Sequence, residues 1–356
     1  MDGKQPVMGR GATVNPAGRF EPRRTEAVWD DLVDDDPPPN PATQVFIDKS
    51  RTVLTRNDSP DVPFDVSLNP YRGCEHGCSY CFARESHPFL NMSAGLDFET
   101  KIFAKPEAAA LLKREISKPG YRCVSIAFGT NTDPYQPIER KMRIMRDILE
   151  LLVACEHPFS IVTKSALILR DLDLIATAAA RGQASAFLSV TTLDGGLASR
   201  MEPRAAAPHR RIGAIKALAE AGVPCGVLAS PMIPGLNDHE LERILEAGAE
   251  AGAKIAGTLL VRLPHEVKDV FVAWLEASEP SRAGKILSLI KQARGGKLND
   301  PRWGSRMTGE GPYAEMLRRR FDVAIARLGL NRQRQAHDTS RFKPPAPGGP
   351  QRSLFG

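Results

Sequence analysis

No stretch of the 356-residue chain approaches about twenty uninterrupted apolar residues, so no transmembrane helix is expected. An apolar segment is also missing behind the opening Met1-Asp2-Gly3-Lys4-Gln5-Pro6. That absence removes a secretory signal and makes a cytoplasmic location the expectation. Cysteine is scarce, at six residues. In a chain of this length without a secretion signal, an even count does not imply a disulfide framework. No second Cys-x2-Cys pair exists to complete a four-thiolate zinc site. A Gly-x-Gly-x-x-Gly loop after the first strand-like run is missing too, which weighs against a dinucleotide-binding sheet.

What is present suits a folded α/β protein. Apolar residues make up 42% of the chain and charged residues 25%. The net charge of +6 is unevenly spread, because Ser281–Gly356 holds 16 Lys and Arg against 5 Asp and Glu. Such a basic segment suits either a solvated helix face with a tail or contact with nucleic acid. Residues 1–43 are rich in Gly, Pro, Arg and Asp and are expected to be a disordered tail, as are residues 336–356. Between them lie a barrel domain at 44–280 and a basic helical segment at 281–335.

Strand-like runs fall at Val124–Phe128, Phe159–Thr163, Ala186–Thr191, Pro224–Ala229 and Gly257–Val261. Helical patterns fall between them at Lys105–Ile116, Ile138–Ala154, Asp171–Ala180, Arg210–Ala221 and Asp238–Ala251. Asp171 and Asp238 are candidate N-caps, and Gly222 and Gly252 candidate C-terminal stops. Strictly alternating elements predict βαβ units and a parallel sheet, most often closed as a barrel with its chemistry at the C-terminal strand ends. Three more helices are expected at Val267–Leu275, Ala283–Ala293 and Tyr313–Leu328, the last packing across the barrel bottom or side.

Half of the cysteines crowd into eight residues, in Asn69-Pro70-Tyr71-Arg72-Gly73-Cys74-Glu75-His76-Gly77-Cys78-Ser79-Tyr80-Cys81-Phe82-Ala83-Arg84. Cys74, Cys78 and Cys81 are soft thiolate ligands at Cys-x3-Cys-x2-Cys spacing, suited to an iron–sulfur cluster. Three such ligands leave one iron of a cubane open to a substrate or cofactor. Gly73 and Gly77 give the loop its tight turns. A zinc site with His76 as fourth ligand, or a redox pair of Cys78 and Cys81, are the alternatives. Cys123, Cys155 and Cys225 sit singly in apolar runs and are expected to be buried core residues.

The Cys-x3-Cys-x-aromatic-Cys pattern, with Tyr80 as the aromatic, resembles the cluster loop of the radical S-adenosylmethionine (SAM) superfamily. The resemblance extends in order over residues 65–265, through Phe128-Gly129-Thr130-Asn131-Thr132-Asp133-Pro134, Val162-Thr163-Lys164-Ser165, Phe187-Leu188-Ser189-Val190-Thr191-Thr192 and Val227–Asp238. These elements look most like the spore photoproduct lyase-like branch. The resemblance implies a partial (β/α)6 TIM-like barrel with a C-terminal helical extension. It also implies a [4Fe–4S] cluster on Cys74, Cys78 and Cys81 whose open iron is chelated by SAM. Reductive cleavage of SAM would then give a 5′-deoxyadenosyl radical that abstracts hydrogen from a substrate. A nucleic-acid repair or modification enzyme on the same core, and a non-catalytic iron–sulfur or zinc sensor, are the rival functions.

Carried onto this chain, the resemblance implies that Asp133 or Asn131 recognises the SAM amine beside Thr130, because the usual Gly-Gly-Glu is replaced here. Lys164 would meet the SAM carboxylate, Ser189 the carboxylate or ribose, and Phe82 the adenine or the barrel lip. An electron donor such as flavodoxin or ferredoxin is the implied partner. The lyase branch uses a cysteine hydrogen-atom donor, and no cysteine here matches it. Tyr135, Gln136 and Glu139 are candidates to face substrate, and Arg262 to pair with a substrate anion. Glu202 and Arg204 are expected to pair on the surface, and His76 and His87 to hydrogen-bond within loops. No catalytic residue, substrate or oligomeric state is assigned by the sequence.

Overall fold

The computed structural model describes residues 9–20, 42–332 and 336–345. Ten strands lie at β1 Gln44–Ile47, β2 Leu54–Arg56, β3 Val66–Leu68, β4 Tyr71–Arg72, β5 Lys101–Ala104, β6 Ile126–Phe128, β7 Phe159–Thr163, β8 Ala184–Ser189, β9 Cys225–Met232 and β10 Ile255–Leu260. Helices up to the last strand are α1 Leu96–Thr100, α2 Ala108–Ile116, α3 Glu139–Met142, α4 Ile144–Ala154, α5 Leu172–Ala179, α6 Gly195–Met201, α7 Pro208–Glu220 and α8 Leu241–Glu250. Four more follow: α9 Val267–Ser278, α10 Ala283–Gln292, α11 Ser305–Thr308 and α12 Gly311–Leu328. None of the described helices is long and apolar enough to cross a membrane.

The main sheet has the order β10-β9-β8-β7-β6-β3-β2. Its six strands from β3 to β10 run parallel, with β2 antiparallel at the edge. The sheet is open, as a partial (β/α)6 barrel must be. Parallel strands covered on both faces read as apolar runs rather than alternating ones, and this is what made them visible in the sequence. Helices follow for the same reason: α4 turns Ile144, Met145, Ile148, Leu149 and Leu152 onto the sheet at helical spacing. A second small sheet, ordered β1-β5-β4, braces the excursion between β3 and β6 that carries the three cysteines.

Several expectations need correcting. The first barrel strand, β3, was not read, because three residues carry no periodicity. The single helix expected over Ile138–Ala154 is broken at Arg143, whose φ is +53°. Met145 N–H donates to the Glu139 carboxylate at 3.1 Å, and so leaves the helical ladder. Asp171 caps nothing, since its carboxylate is taken by Tyr135 and Arg170. Asp238 instead accepts from Gly235 N at 2.8 Å and from the Tyr313 hydroxyl. Gly222 and Gly252 do follow the helix ends, at φ +75° and +98°. Cys123 is half-buried rather than core, whereas Cys155 and Cys225 are buried. Helix α12 lies along α8 at the side of the barrel, where Arg320 and Arg327 pair with Glu242 and Glu246.

The described parts of both expected tails are packed on the domain. Arg10, Gly11 and Ala12 are buried; Gly11 N and Ala12 N donate to Glu99 at 3.0 and 2.8 Å. At the other end, residues 336–345 cross the N-terminal ends of the strands. His337 bonds Ser125 and Ser185, and Lys343 N donates to Cys155 O at 2.8 Å. Backbone partners of this kind, with no run of apolar residues, are invisible to composition. Residues 1–8, 21–41 and 346–356 of the expected tails lie outside the described residues.

That C-terminal strap packs Phe342 edge-on to buried His157, at 5.0 Å between ring centroids. Burial pushes the His157 pKa down to about 4. The unfolded chain therefore binds a proton near pH 6.5 that the folded chain refuses, so stability is full above pH 6.5 and falls as pH drops from there toward 4. Complete protonation would cost on the order of 3 kcal/mol. Urea unfolding between pH 7.5 and 4.5 should show this loss, and His157→Asn should flatten the slope. Parallel profiles for the two proteins would contradict it.

Candidate active site

The loop Asn69–Arg84 leaves β3 and crosses the C-terminal ends of the barrel strands. Almost all of it is buried, yet little of it is helix or strand, so its backbone groups need other partners. Gln136 supplies two: its amide oxygen accepts from Glu75 N at 2.8 Å and its nitrogen donates to Gly73 O at 3.1 Å. Asn69 accepts from the amides of Asn131 and Thr132 and donates to the Thr130 hydroxyl at 3.1 Å. Arg84, wholly buried, donates to Cys78 O at 2.9 Å, to the carbonyls of Ala94 and Gly95, and to Glu99 at 2.5 Å. Gly77 has φ +66°, and a side chain there would meet the Glu99 carboxylate at 2.7 Å. Gly11 lies so close on the other side that a Cβ would sit 1.6 Å from Gly77 O.

Held this way, the loop presents Cys74 and Cys78 buried and Cys81 half-buried, all as free thiols. Burial pushes all three thiols above the ordinary cysteine range. Buried thiolates need a cation, and metal binding deprotonates a thiol outright. The donor set therefore fits a metal centre. It does not fit a single ion: no three Cys, His, Asp or Glu side chains among the described residues are grouped to hold one. A cubane makes no such demand, since each thiolate binds its own iron. His76, the fourth ligand of the zinc alternative, turns its Nδ1 to Asp133 at 3.3 Å. Two buried hydroxyls at the mouth, on Ser79 and Ser230, have no protein partner. Sequence reasoning passed over both, since an isolated serine carries no signal of its own.

Across the mouth, Lys164 at the end of β7 donates to Ser189 Oγ at 2.8 Å, and Ser189 Oγ donates to Ser230 O at 2.8 Å. The ammonium lies 5.8 Å from the Tyr80 ring centre and 4.0 Å from Glu202. Glu202 is fully buried, not on the surface as expected. It accepts from Thr191 at 2.5 Å and from the hydroxyl of Tyr80, and pairs with buried Arg211. Burial would raise its pKa, but Arg211 and Lys164 outweigh it and hold the carboxyl at about 2. Arg204 pairs with Glu75 at 3.0 Å, inside the cysteine loop.

Asp133 is saturated by protein. It accepts from Thr163 Oγ1 at 2.6 Å, Tyr135 N at 2.9 Å and Lys164 N at 2.7 Å, and faces His76. Against the cost of burial, His76 and these donors hold its pKa at about 2. It fixes the loop rather than offering a free oxygen. The Asn131 side-chain amide, by contrast, bonds nothing among the described residues. Phe82, 37% exposed, stacks under Arg262 at 5.2 Å on the β10 side. Tyr135 and Glu139 are buried, bonded to Asp171 and to Tyr71 and Arg170 respectively. His87 is a loop hydrogen bonder, with Nε2 3.1 Å from Lys101 O.

An open six-stranded parallel barrel with its reactive groups at the strand C-termini defines a class of α/β enzyme. Residues 68–248 match the family model described as the Radical SAM superfamily, and the chain belongs to that superfamily. Membership makes it an enzyme and implies SAM and an iron–sulfur cluster as its cofactors. An uncharacterised protein of Mycobacterium tuberculosis is 35% identical over 271 residues, covering 76% of each chain. One of Methanocaldococcus jannaschii is 31% identical over 49% of this chain and 62% of its own. Among solved structures, spore photoproduct lyase complexed with dinucleoside spore photoproduct shares the fold, with a TM-score of 0.58 over 80% of each chain at 15% identity.

Glu202→Gln removes the only carboxylate facing Arg211 among the described residues while keeping its shape. An uncompensated buried guanidinium should cost about 3–5 kcal/mol. Denaturant unfolding of the metal-free protein should show that loss, with partial recovery in Glu202→Gln/Arg211→Met. A loss below about 1 kcal/mol would mean the pair is solvated.

Proposed function

We propose that Cys74, Cys78 and Cys81 hold a [4Fe–4S] cluster, and that the mouth binds SAM against its open iron. Three free thiols on one loop, two buried and one half-buried, beside the Lys164–Ser189 pair, carry this reading. The cofactors together supply reductive cleavage of SAM and a radical that abstracts hydrogen from substrate. The chain supplies the rest. Lys164, held by Ser189 and balanced by Glu202, is placed to bind the SAM carboxylate. With Asp133 committed elsewhere, the Asn131 amide oxygen is the free acceptor for the SAM amine, and Thr130 sits beside it. The exposed Phe82 ring offers the adenine an apolar face. Tyr80 acts indirectly, by locking the loop to Glu202.

The substrate is not assigned. A DNA-lesion reaction of the lyase kind draws no support from the cysteines. Cys123, Cys155 and Cys225 all lie at the N-terminal ends of strands, away from the mouth. The basic C-terminal segment is also partly neutralised, by Glu242 and Glu246. Nucleic acid therefore stays the weaker alternative.

Anaerobically reconstituted protein with dithionite and SAM should form 5′-deoxyadenosine, and Cys78→Ala should abolish both the cluster absorbance and that product. Lys164→Ala should keep the cluster and weaken SAM binding about tenfold, the loss of one charge-assisted contact. A reconstituted cluster that never yields 5′-deoxyadenosine would defeat the proposal.

A further inference from the structure

The Cys74–Cys78 stretch of the loop is buried and comes nearest the surface at His76. There His76 lines a cleft of about 200 Å³, with Ser165, Arg140, Arg204 and Arg210 among the other walls. No carboxylate is among its lining residues. Arg140 and Arg210 are exposed and have no carboxylate in ion-pair reach among the described residues. Arg204 joins this surface to the loop itself: its guanidinium holds Glu75 at 3.0 Å, and its amide donates to His76 O at 3.3 Å. The positive charge extends past the cleft, through exposed Lys141 and Arg143. The first turn of α7, which has no side-chain cap, adds its own positive end.

A small anion would need only the cleft. A patch contributed by the loops after β6 and β7 and by the start of α7 suits a partner with a broad negative face. We infer that an acidic one-electron carrier protein docks here. This rests on the loop holding a cluster, as proposed above. The cluster must then be reduced before it can cleave SAM, and electron transfer needs close approach. The cleft borders His76, which lies between two of the three ligands, so a carrier seated on it comes close to the cluster. In the docked pair the carrier is oxidised by one electron and the cluster reduced by one; no bond or proton moves.

The test uses full-length reconstituted protein, with reduced flavodoxin as the acidic carrier and reduced methyl viologen as a cationic control. Cluster reduction is followed by stopped-flow absorbance and checked by electron paramagnetic resonance (EPR). Arg140→Glu/Arg210→Glu should slow reduction by flavodoxin about tenfold or more at low salt, the size of a lost electrostatic steering effect. The wild-type rate should fall with added KCl toward that of the variant. Reduction by methyl viologen should be as fast in the variant as in the wild type. Equal flavodoxin rates in the two proteins would overturn the docking face. So would an equal slowing with methyl viologen, or a variant whose sole defect is weaker binding of a DNA oligonucleotide. A wild-type cluster that accepts the flavodoxin electron, with the variant slowed, yet forms no 5′-deoxyadenosine would uphold this face and count against the reaction instead.

Discussion

Irregular backbone buried at a barrel mouth needs a partner for every amide and carbonyl, and the loop from Asn69 to Arg84 finds them in neighbouring main chain, as Cys74 N on Phe98 O and Ser79 N on Met201 O, and in buried polar side chains. Gln136, Asn69, Arg84 and Glu99 each grip main chain, and Arg84 and Glu99 also pair with each other. An unpaired buried polar group costs about 1–3 kcal/mol, so the loop keeps one shape only while all of these contacts hold. The position of the three thiols, and with it the chemistry, depends on that set. The segment from Gly129 to Glu139 serves it directly. Gly129 turns at φ +79°, where a side chain would lie 1.9 Å from Val162 O, and so brings Asp133, Gln136 and Glu139 under the loop.

Charge is arranged with the same economy. Two carboxylates at the mouth, Asp133 and Glu202, are kept ionised by donors aimed at them, and neither has an oxygen to spare. Each ties a strand end to its neighbours. Asp133 joins the β6 loop to Thr163 and Lys164 on β7, while Glu202 joins Thr191 beyond β8 to Tyr80 in the cysteine loop and to Arg211 in α7. Among the described residues, the Asn131 amide and the hydroxyls of Ser79 and Ser230 have no hydrogen-bond partner, the Lys164 ammonium hydrogen-bonds to Ser189 alone, and one oxygen of Glu75 in the cysteine loop also lacks a donor. That balance suits a zwitterionic ligand with an exposed carboxylate.

The barrel was legible because its strands are apolar on both faces and its helices carry apolar stripes; β7 was read to the residue. The cysteine loop was legible because soft ligands at short spacing have few other uses. What stayed hidden is what spacing cannot express. Glu202 looks like a surface acid until Arg211, nine residues on, is brought beside it by the turn into α7. Gln136 and Glu139 looked ready for substrate, but their amide and carboxylate face back into the protein. Residues 9–20 looked unstructured because glycine and arginine there bury main chain, not apolar side chains.

The central claim is that three side chains, not four, ligate the cluster, and that SAM takes the remaining iron. Electron–nuclear double resonance on the reduced, reconstituted protein, with SAM isotope-labelled at its methionyl amine and carboxylate, tests it most directly. The account predicts hyperfine coupling from both labelled groups to one iron of the cluster. A cluster showing no coupling to either label, with every iron bound to a side chain, would contradict it.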